Sequence, residues 1–160
     1  MITLSKSVNA GLIVGSVVVV VVATAVLFMI TKFQPSISLF IGDGIFDARI
    51  AKTIASREKG LGGVSSIDEK YALILAFPTD DTWQIWMKDM KVPIDIIWLD
   101  KDKKIIDIVK DASPEDSINV VYTPKSPARY VVEVSAGTVD RDTIRIGRTA
   151  IFEINPQEIE

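Results

Sequence analysis

The feature that most constrains this chain is an uncharged segment close to its N-terminus. Residues 7–31, between Lys6 and Lys32, contain no charged side chain, and their centre reads GLIVGSVVVVVVATAVLFMI. A helix of twenty residues spans about 30 Å, the thickness of the hydrocarbon core of a bilayer. Because a backbone in lipid must satisfy its own hydrogen bonds, this segment is predicted to form one transmembrane helix. The predicted organisation is a tail at 1–8, the transmembrane helix at 9–31, a linker at 32–38 and a domain at 39–160.

The rival interpretation of this segment is a cleavable signal peptide, since Ala23, Thr24 and Ala25 resemble a small-x-small cleavage site. Residues 26–30 continue the apolar run beyond that site, where a cleaved signal becomes polar, so an uncleaved anchor is favoured. Lys6 and the α-amino group precede the helix and slightly favour a cytoplasmic N-terminus. The predicted location is therefore the cell membrane, with a single pass and the domain outside the cytoplasm.

The side-chain composition excludes several kinds of chemistry. The chain has no Cys and no His, so disulfides, thiol nucleophiles, imidazole bases and the usual zinc sites are excluded. All 21 acidic residues follow residue 42, whereas only two of the 18 basic residues precede it, which makes the domain mildly acidic. With no cluster of Lys and Arg, a nucleic-acid partner is not expected. The acidic residues at 100–116 fit no EF-hand spacing, and neither a metal site nor a cofactor is predicted.

Short apolar runs separated by turn residues dominate the rest of the chain. Runs at 36–41, 45–51, 71–77, 83–87, 94–99, 104–109, 129–134 and 149–154 are predicted to be strands. Two short helices are predicted, one after Thr53 and one from 138 to about 144. The expected fold is a compact β-rich α+β domain, with a mostly antiparallel, barrel-like sheet.

Four motifs occur in fixed order along this domain: GL at 60–61, WMKDM at 86–90, PIDIIWLD at 93–100 and ARYVVEVSAG at 128–137. With these motifs, roughly residues 45–154 resemble the family called domain of unknown function 192. The resemblance implies a small β-rich domain, often behind a signal peptide or anchor, and it implies no established activity.

The chain departs from that family pattern at two places. Gly62 and Val64 stand where relatives usually carry Met and Arg, and ALIL at 72–75 replaces the usual Gly-Met-Leu-Phe. A ligand held by that arginine in relatives is therefore not expected to bind here in the same way.

The candidate site residues are charged or aromatic side chains in and beside apolar strands: Trp86, Lys88, Asp95, Arg129 and Glu133. With period two, Trp86 and Lys88 share one face of their strand. Asp95 interrupts an apolar strand, and an unpaired buried carboxylate is costly, so it is expected to have a partner. Asp95 and Arg129 are each predicted to be at least half-buried and hydrogen-bonded.

Three interpretations of these residues remain open. In the structural one, Asp95 forms a partly buried ion pair with Lys88 or with Arg129. In the second, Trp86 floors a pocket where Lys88 and Arg129 reach an anionic or sugar-like ligand, oriented by Asp95 and Glu133. In the third, Asp95 and Glu133 are the acid and base of a hydrolase acting on envelope glycans. A membrane-anchored binding or accessory module for a small ligand or envelope partner is favoured over an enzyme.

Overall fold

The computed structural model describes residues 15–24, 36–118 and 120–160. The chain divides between Pro35 and Ser36 into two units, which are described separately. In the first unit, residues 15–24 form helix α1. No helix within the described residues has both the length and the apolar character needed to cross a bilayer. The remainder of the predicted span at 9–31 lies outside those residues, so the transmembrane anchor stays a prediction.

The second unit is an α+β domain built mainly from short strands. Its helices are α2 (Ile54–Lys59) and α3 (Thr138–Arg141), with single 3-10 turns at Pro114–Ile118 and Pro156–Glu158. The strands are β1 (Ile37–Ile41), β2 (Gly44–Ala51), β3 (Tyr71–Asp81), β4 (Ile85–Trp86), β5 (Ile94–Leu99), β6 (Ile105–Ala112), β7 (Val121–Tyr122) and β8 (Ala128–Ser135).

Six strands form one mixed sheet in the order β1-β2-β3-β8-β5-β6, and β4 pairs with β7 in a separate two-stranded sheet. In the large sheet β2 and β3 are parallel, and the other neighbours are antiparallel. The parallel pair arises because the chain leaves β2, forms α2, and returns to the sheet in the same direction, as parallel strands require.

The expected barrel is wrong, because the large sheet is open between β1 and β6. A barrel would need those two strands to pair with each other. Instead, the predicted strand at 149–154 contributes isolated bridges, from Ile151 to Phe40 of β1 and from Thr149 to Lys104 just before β6. These bridges give backbone partners to both edges of the sheet without closing it.

The central strands β3, β8 and β5 are apolar on both faces, which explains their near-continuous hydrophobic sequences. One core contains Ile97 and Val132, together with side chains from β1, β2, α3 and Phe152. The other contains Ile96 and Val131, together with Leu61 and Met87. Successive residues of a strand point to opposite faces, so Asp95 lies on the face of Ile97, and Glu133 lies on the face of Val131.

Candidate functional site

A cavity of about 720 Å³ lies on the face of the sheet that carries Val131 and Glu133. It is lined by the end of α2, by β3 and by the segment around β4. Its walls are mainly apolar, with the aromatic rings of Phe77, Trp83 and Trp86 and the aliphatic side chains of Leu61 and Leu75. Its volume is in the range of cavities that hold small ligands.

Strand β8 contributes Glu133 to the lining of this cavity. The backbone of Glu133 pairs with Leu73 of β3 and with Ile96 of β5, so Glu133 lies at the centre of the sheet. The residue is only 4% exposed. The backbone N–H of Leu61 lies near its carboxyl group and favours the charged form. Within the described residues, its Oε2 atom is buried and has no hydrogen-bond partner.

This environment changes the acidity of Glu133. Burial raises its pKa from the ordinary value of 4.5 to about 7, and the nearby backbone N–H of Leu61 opposes the change. Burial disfavours the charged form because the ion loses its hydration. Near neutral pH the carboxyl group therefore exists in both protonation states.

The turn after α2 brings Leu61 to Glu133. Helix α2 begins with a capping box, in which Thr53 and Ser56 bond each other's backbone N–H groups. It ends at Gly60, whose φ of 47° and ψ of −134° are readily adopted only by glycine. A Cβ atom on Gly60 would lie 3.4 Å from Glu133 Oε2, so the backbone passes directly over the carboxyl group.

The aromatic wall is fixed by contacts among its own rings and with the backbone. Phe77 stacks on Trp83 with 4.2 Å between ring centroids. Trp83 Nε1 donates to the Thr79 carbonyl at 3.0 Å, and Trp98 Nε1 donates to the Trp83 carbonyl at 2.9 Å. The rings therefore have little freedom to collapse into the cavity.

Two cations lie against the aromatic rings of this wall. Lys88 Nζ is 5.4 Å from the centroid of the Trp86 ring, and the Arg57 guanidinium carbon is 5.1 Å from that of Phe77. Arg57 Nη1 also donates to the carbonyls of Lys52 and Ala76, which ties α2 to β3. Trp86 is half exposed, so it forms part of the mouth of the cavity.

Three of the five residues singled out from the sequence line this cavity: Trp86, Lys88 and Glu133. The predicted alternation is confirmed around β4, where Ile85 and Met87 are buried and Trp86 is exposed.

Asp95 lies on the other face of the sheet and is fully buried. Its Oδ1 accepts from the Asp111 N–H at 3.0 Å, and its Oδ2 accepts from the Val139 N–H at 2.8 Å. Val139 is in the first turn of α3, whose N-cap, Gly137, supplies no side-chain hydrogen bond. Asp95 is thus the cap of α3 from a distant strand.

Arg129 lies outside the lining of the cavity, and its Nε donates to Asp80 Oδ1 at 2.7 Å. The predicted ion pair of Asp95 with Lys88 or Arg129 is therefore wrong, because backbone N–H groups satisfy Asp95 and Asp80 neutralises Arg129. The prediction that both residues are at least half-buried and hydrogen-bonded is confirmed. Since Asp95 and Glu133 occupy opposite faces, they cannot flank one glycosidic bond as a hydrolase requires.

Sequence reasoning missed four parts of the site: Gly60, Leu61, Phe77 and Trp83. Gly60 and Leu61 carried a signal, as the GL motif, but nothing in the sequence linked them to Glu133. Phe77 and Trp83 flank Pro78 and the end of β3, and their stacking depends on a turn that periodicity does not describe.

The protein therefore belongs to the class of small α+β domains, with an open mixed sheet and an apolar pocket. Residues 38–152 match the family model DUF192, described as an uncharacterized ACR. The chain belongs to this family, and the resemblance stated from the four motifs is confirmed.

Known relatives agree with this assignment. The UPF0127 protein of Thermococcus sibiricus is 30% identical over 111 residues, which cover 68% of each chain. The UPF0127 protein of Thermococcus gammatolerans is 36% identical over 92 residues, and the match covers 56% of each chain. A crystal structure of a protein of unknown function from Novosphingobium aromaticivorans has a TM-score of 0.67 at 23% identity, covering 72% of this chain and 83% of that one. The comparisons establish the family and the fold.

Proposed function

We propose that the domain is a binding module for a small, largely apolar ligand, whose polar group contacts Glu133. The observation that carries this proposal is the Oε2 atom of Glu133, which is buried at an apolar cavity and has no hydrogen-bond partner in the part of the chain that the structure describes. A buried polar atom without a hydrogen bond costs about 1–3 kcal/mol. A ligand that supplies the missing hydrogen bond would recover that cost.

The surroundings of Glu133 suit a ligand with an apolar body and one polar end. The aromatic and aliphatic walls suit an apolar ligand body, because burial of apolar surface is favourable without strict geometry. The buried carboxyl group of Glu133 would fix the orientation of the ligand. Lys88 at the mouth offers a second polar contact for a ligand long enough to reach it.

Binding is tested by narrowing the mouth of the cavity. Ile54 lines the cavity and is 61% exposed, so Ile54→Trp adds bulk there with little effect on the core. We expect a ligand found by thermal-shift screening to raise the Tm of the wild type by about 10 °C at a hundredfold excess over its Kd. In Ile54→Trp this increase is expected to fall to less than half.

The matched control is Ile146→Trp, because Ile146 is 58% exposed and lies outside the lining of the cavity. It should bind ligand like the wild type. Ligands that stabilise all three proteins equally would show that binding occurs elsewhere and would contradict the proposal.

We further propose that residues 9–31 anchor the domain to the cell membrane, outside the cytoplasm, where its ligand is a free small molecule or part of an envelope component. The uncharged run at 7–31 supports this. The full chain is expected in the membrane fraction, and protease added to intact cells is expected to digest the domain while a cytoplasmic marker survives. A soluble domain, or a membrane-bound one that is protected from the protease, would contradict this arrangement.

A further inference from the structure

The backbone of Gly60 passes beside the Glu133 carboxyl group in the lining of the cavity. The position that a Cβ atom would take on Gly60 lies 3.4 Å from Glu133 Oε2, 3.6 Å from Glu133 Oε1 and 3.8 Å from the carbonyl oxygen of Arg57. Apart from the glycine and its chain neighbours, these three oxygens are the heavy atoms nearest to that position. Gly60 has no side chain to cover this carboxyl group, and both residues line the cavity, so a ligand can approach Glu133 there.

Within the described residues, Glu133 Oε2 has no hydrogen-bond partner, and this unpaired acceptor selects for a ligand group that donates hydrogen bonds. A carbonyl oxygen has no donor, and an ionised carboxylate only accepts. A hydroxyl group donates one hydrogen bond, whereas a primary ammonium donates three. An ammonium beside Glu133 therefore matches a group that only accepts, and its hydrogen bond to the carboxylate is strengthened by charge.

Among the described residues, no cation pairs with Glu133. Its pKa reflects burial first and the Leu61 N–H second, and neither cause is a charged neighbour. Two of the cations that line the cavity are engaged with aromatic rings, Lys88 with Trp86 and Arg57 with Phe77. The titratable and charged side chains that face the cavity, besides Glu133, are Arg57, Glu58, Lys59, Lys88 and Glu160. Burial raises the pKa of Tyr71, and the nearby charge of Glu133 raises it further.

We propose that the pocket binds a primary amine, with the ammonium group against the unpaired carboxyl oxygen of Glu133 and an apolar body against Phe77, Trp83 and Trp86. This inference rests on the proposed binding function and narrows it to one chemical class. An amine that binds the protonated form of Glu133 must displace its proton, so affinity falls as the pH drops below the pKa of that carboxyl group.

Three probes with the same phenyl body separate the candidate head groups: phenethylamine, 2-phenylethanol and phenylacetate. Binding is measured by calorimetry on the full chain in lipid nanodiscs, at pH 8 and pH 6. We expect phenethylamine to bind about tenfold more tightly than the alcohol at pH 8, the effect of one charge-assisted hydrogen bond. We expect that preference to shrink at pH 6.

Glu133→Gln is expected to remove the preference for the amine over the alcohol, because glutamine keeps an acceptor oxygen but carries no negative charge. The matched control is Glu153→Gln, which removes the same charge from an exposed residue outside the cavity and should keep the preference.

Equal binding of amine and alcohol to the wild type, or tightest binding of phenylacetate, would overturn the amine assignment and leave the pocket as a binding site. A preference for the amine that survives in Glu133→Gln would also overturn it. Failure of all three probes to bind would count against both the amine assignment and the proposed binding function.

Discussion

Replacing Asp95 with alanine is expected to lower the free energy of unfolding by about 3 kcal/mol, because each buried donor left unpaired costs roughly 1–3 kcal/mol. The carboxylate is fully buried and accepts two backbone hydrogen bonds, from Asp111 and from Val139. Alanine would leave both N–H groups without an acceptor. It would also remove the cap of α3, whose own N-cap residue supplies no side-chain bond.

Denaturant unfolding of the domain checks this value, with Asp95→Asn and Trp86→Ala as comparisons. Asparagine keeps one acceptor oxygen but turns an NH₂ group toward the second backbone donor, so an intermediate loss is expected. Trp86→Ala is expected to cost about 1 kcal/mol or less, because the ring is already half in contact with water. A neutral Asp95→Ala variant would show that these two hydrogen bonds do not stabilise the fold.

Replacing Glu133 with glutamine is expected to stabilise the domain by about 3 kcal/mol at pH 8 and to leave it nearly unchanged near pH 4. The pKa of Glu133 in the folded protein is about 7, above its ordinary value of 4.5. The folded state therefore binds this proton more tightly than the unfolded state does. Its favourable contribution is complete below pH 4.5 and is lost as the pH rises through about 7. Glutamine has no proton to lose, so it avoids that loss.

Unfolding curves of the wild type and Glu133→Gln between pH 4 and pH 8 measure this difference, with the exposed Glu153→Gln as control. The stabilisation should grow with pH for Glu133→Gln and stay flat for the control. A difference that does not change with pH would contradict a raised pKa at this position. The expected gain also means that the native glutamate lowers stability at neutral pH, which is common where a residue is kept for binding.

Local patterns in the sequence predicted those parts of the fold that depend on neighbouring residues. The apolar run at 94–99 became β5 with the predicted bounds, and its alternation placed Asp95 with Ile97, away from Ile96. The open sheet was not predicted, because the parallel pairing of β2 with β3 depends on where the chain goes after α2. Such pairing joins residues far apart in sequence, and periodicity carries no information about it.

In the candidate site, too, the sequence predicted contacts between neighbouring residues and missed contacts between residues far apart in the chain. Trp86 and Lys88 are close in sequence on one exposed face, and the sequence placed them together correctly. For Asp95 and Arg129 the sequence showed a charge in an apolar strand, and it indicated that each needs a partner. It did not show that the partners are the N–H groups of residues 111 and 139 and the carboxylate of Asp80. Every backbone carries such donors, so nothing in residue identity marks the ones that are used.

The central claim is that Glu133 is a buried carboxyl group without a counter-ion among the described residues, open to a ligand from the cavity. Its titration by carbon-13 NMR, assigned by comparison with Glu133→Gln, tests this claim most directly. A carboxyl resonance with a midpoint near pH 7 that moves to lower pH when phenethylamine is added would agree with the account. A midpoint near the ordinary 4.5, unchanged by the amine, would show that the group is solvated or already paired, and it would contradict the account.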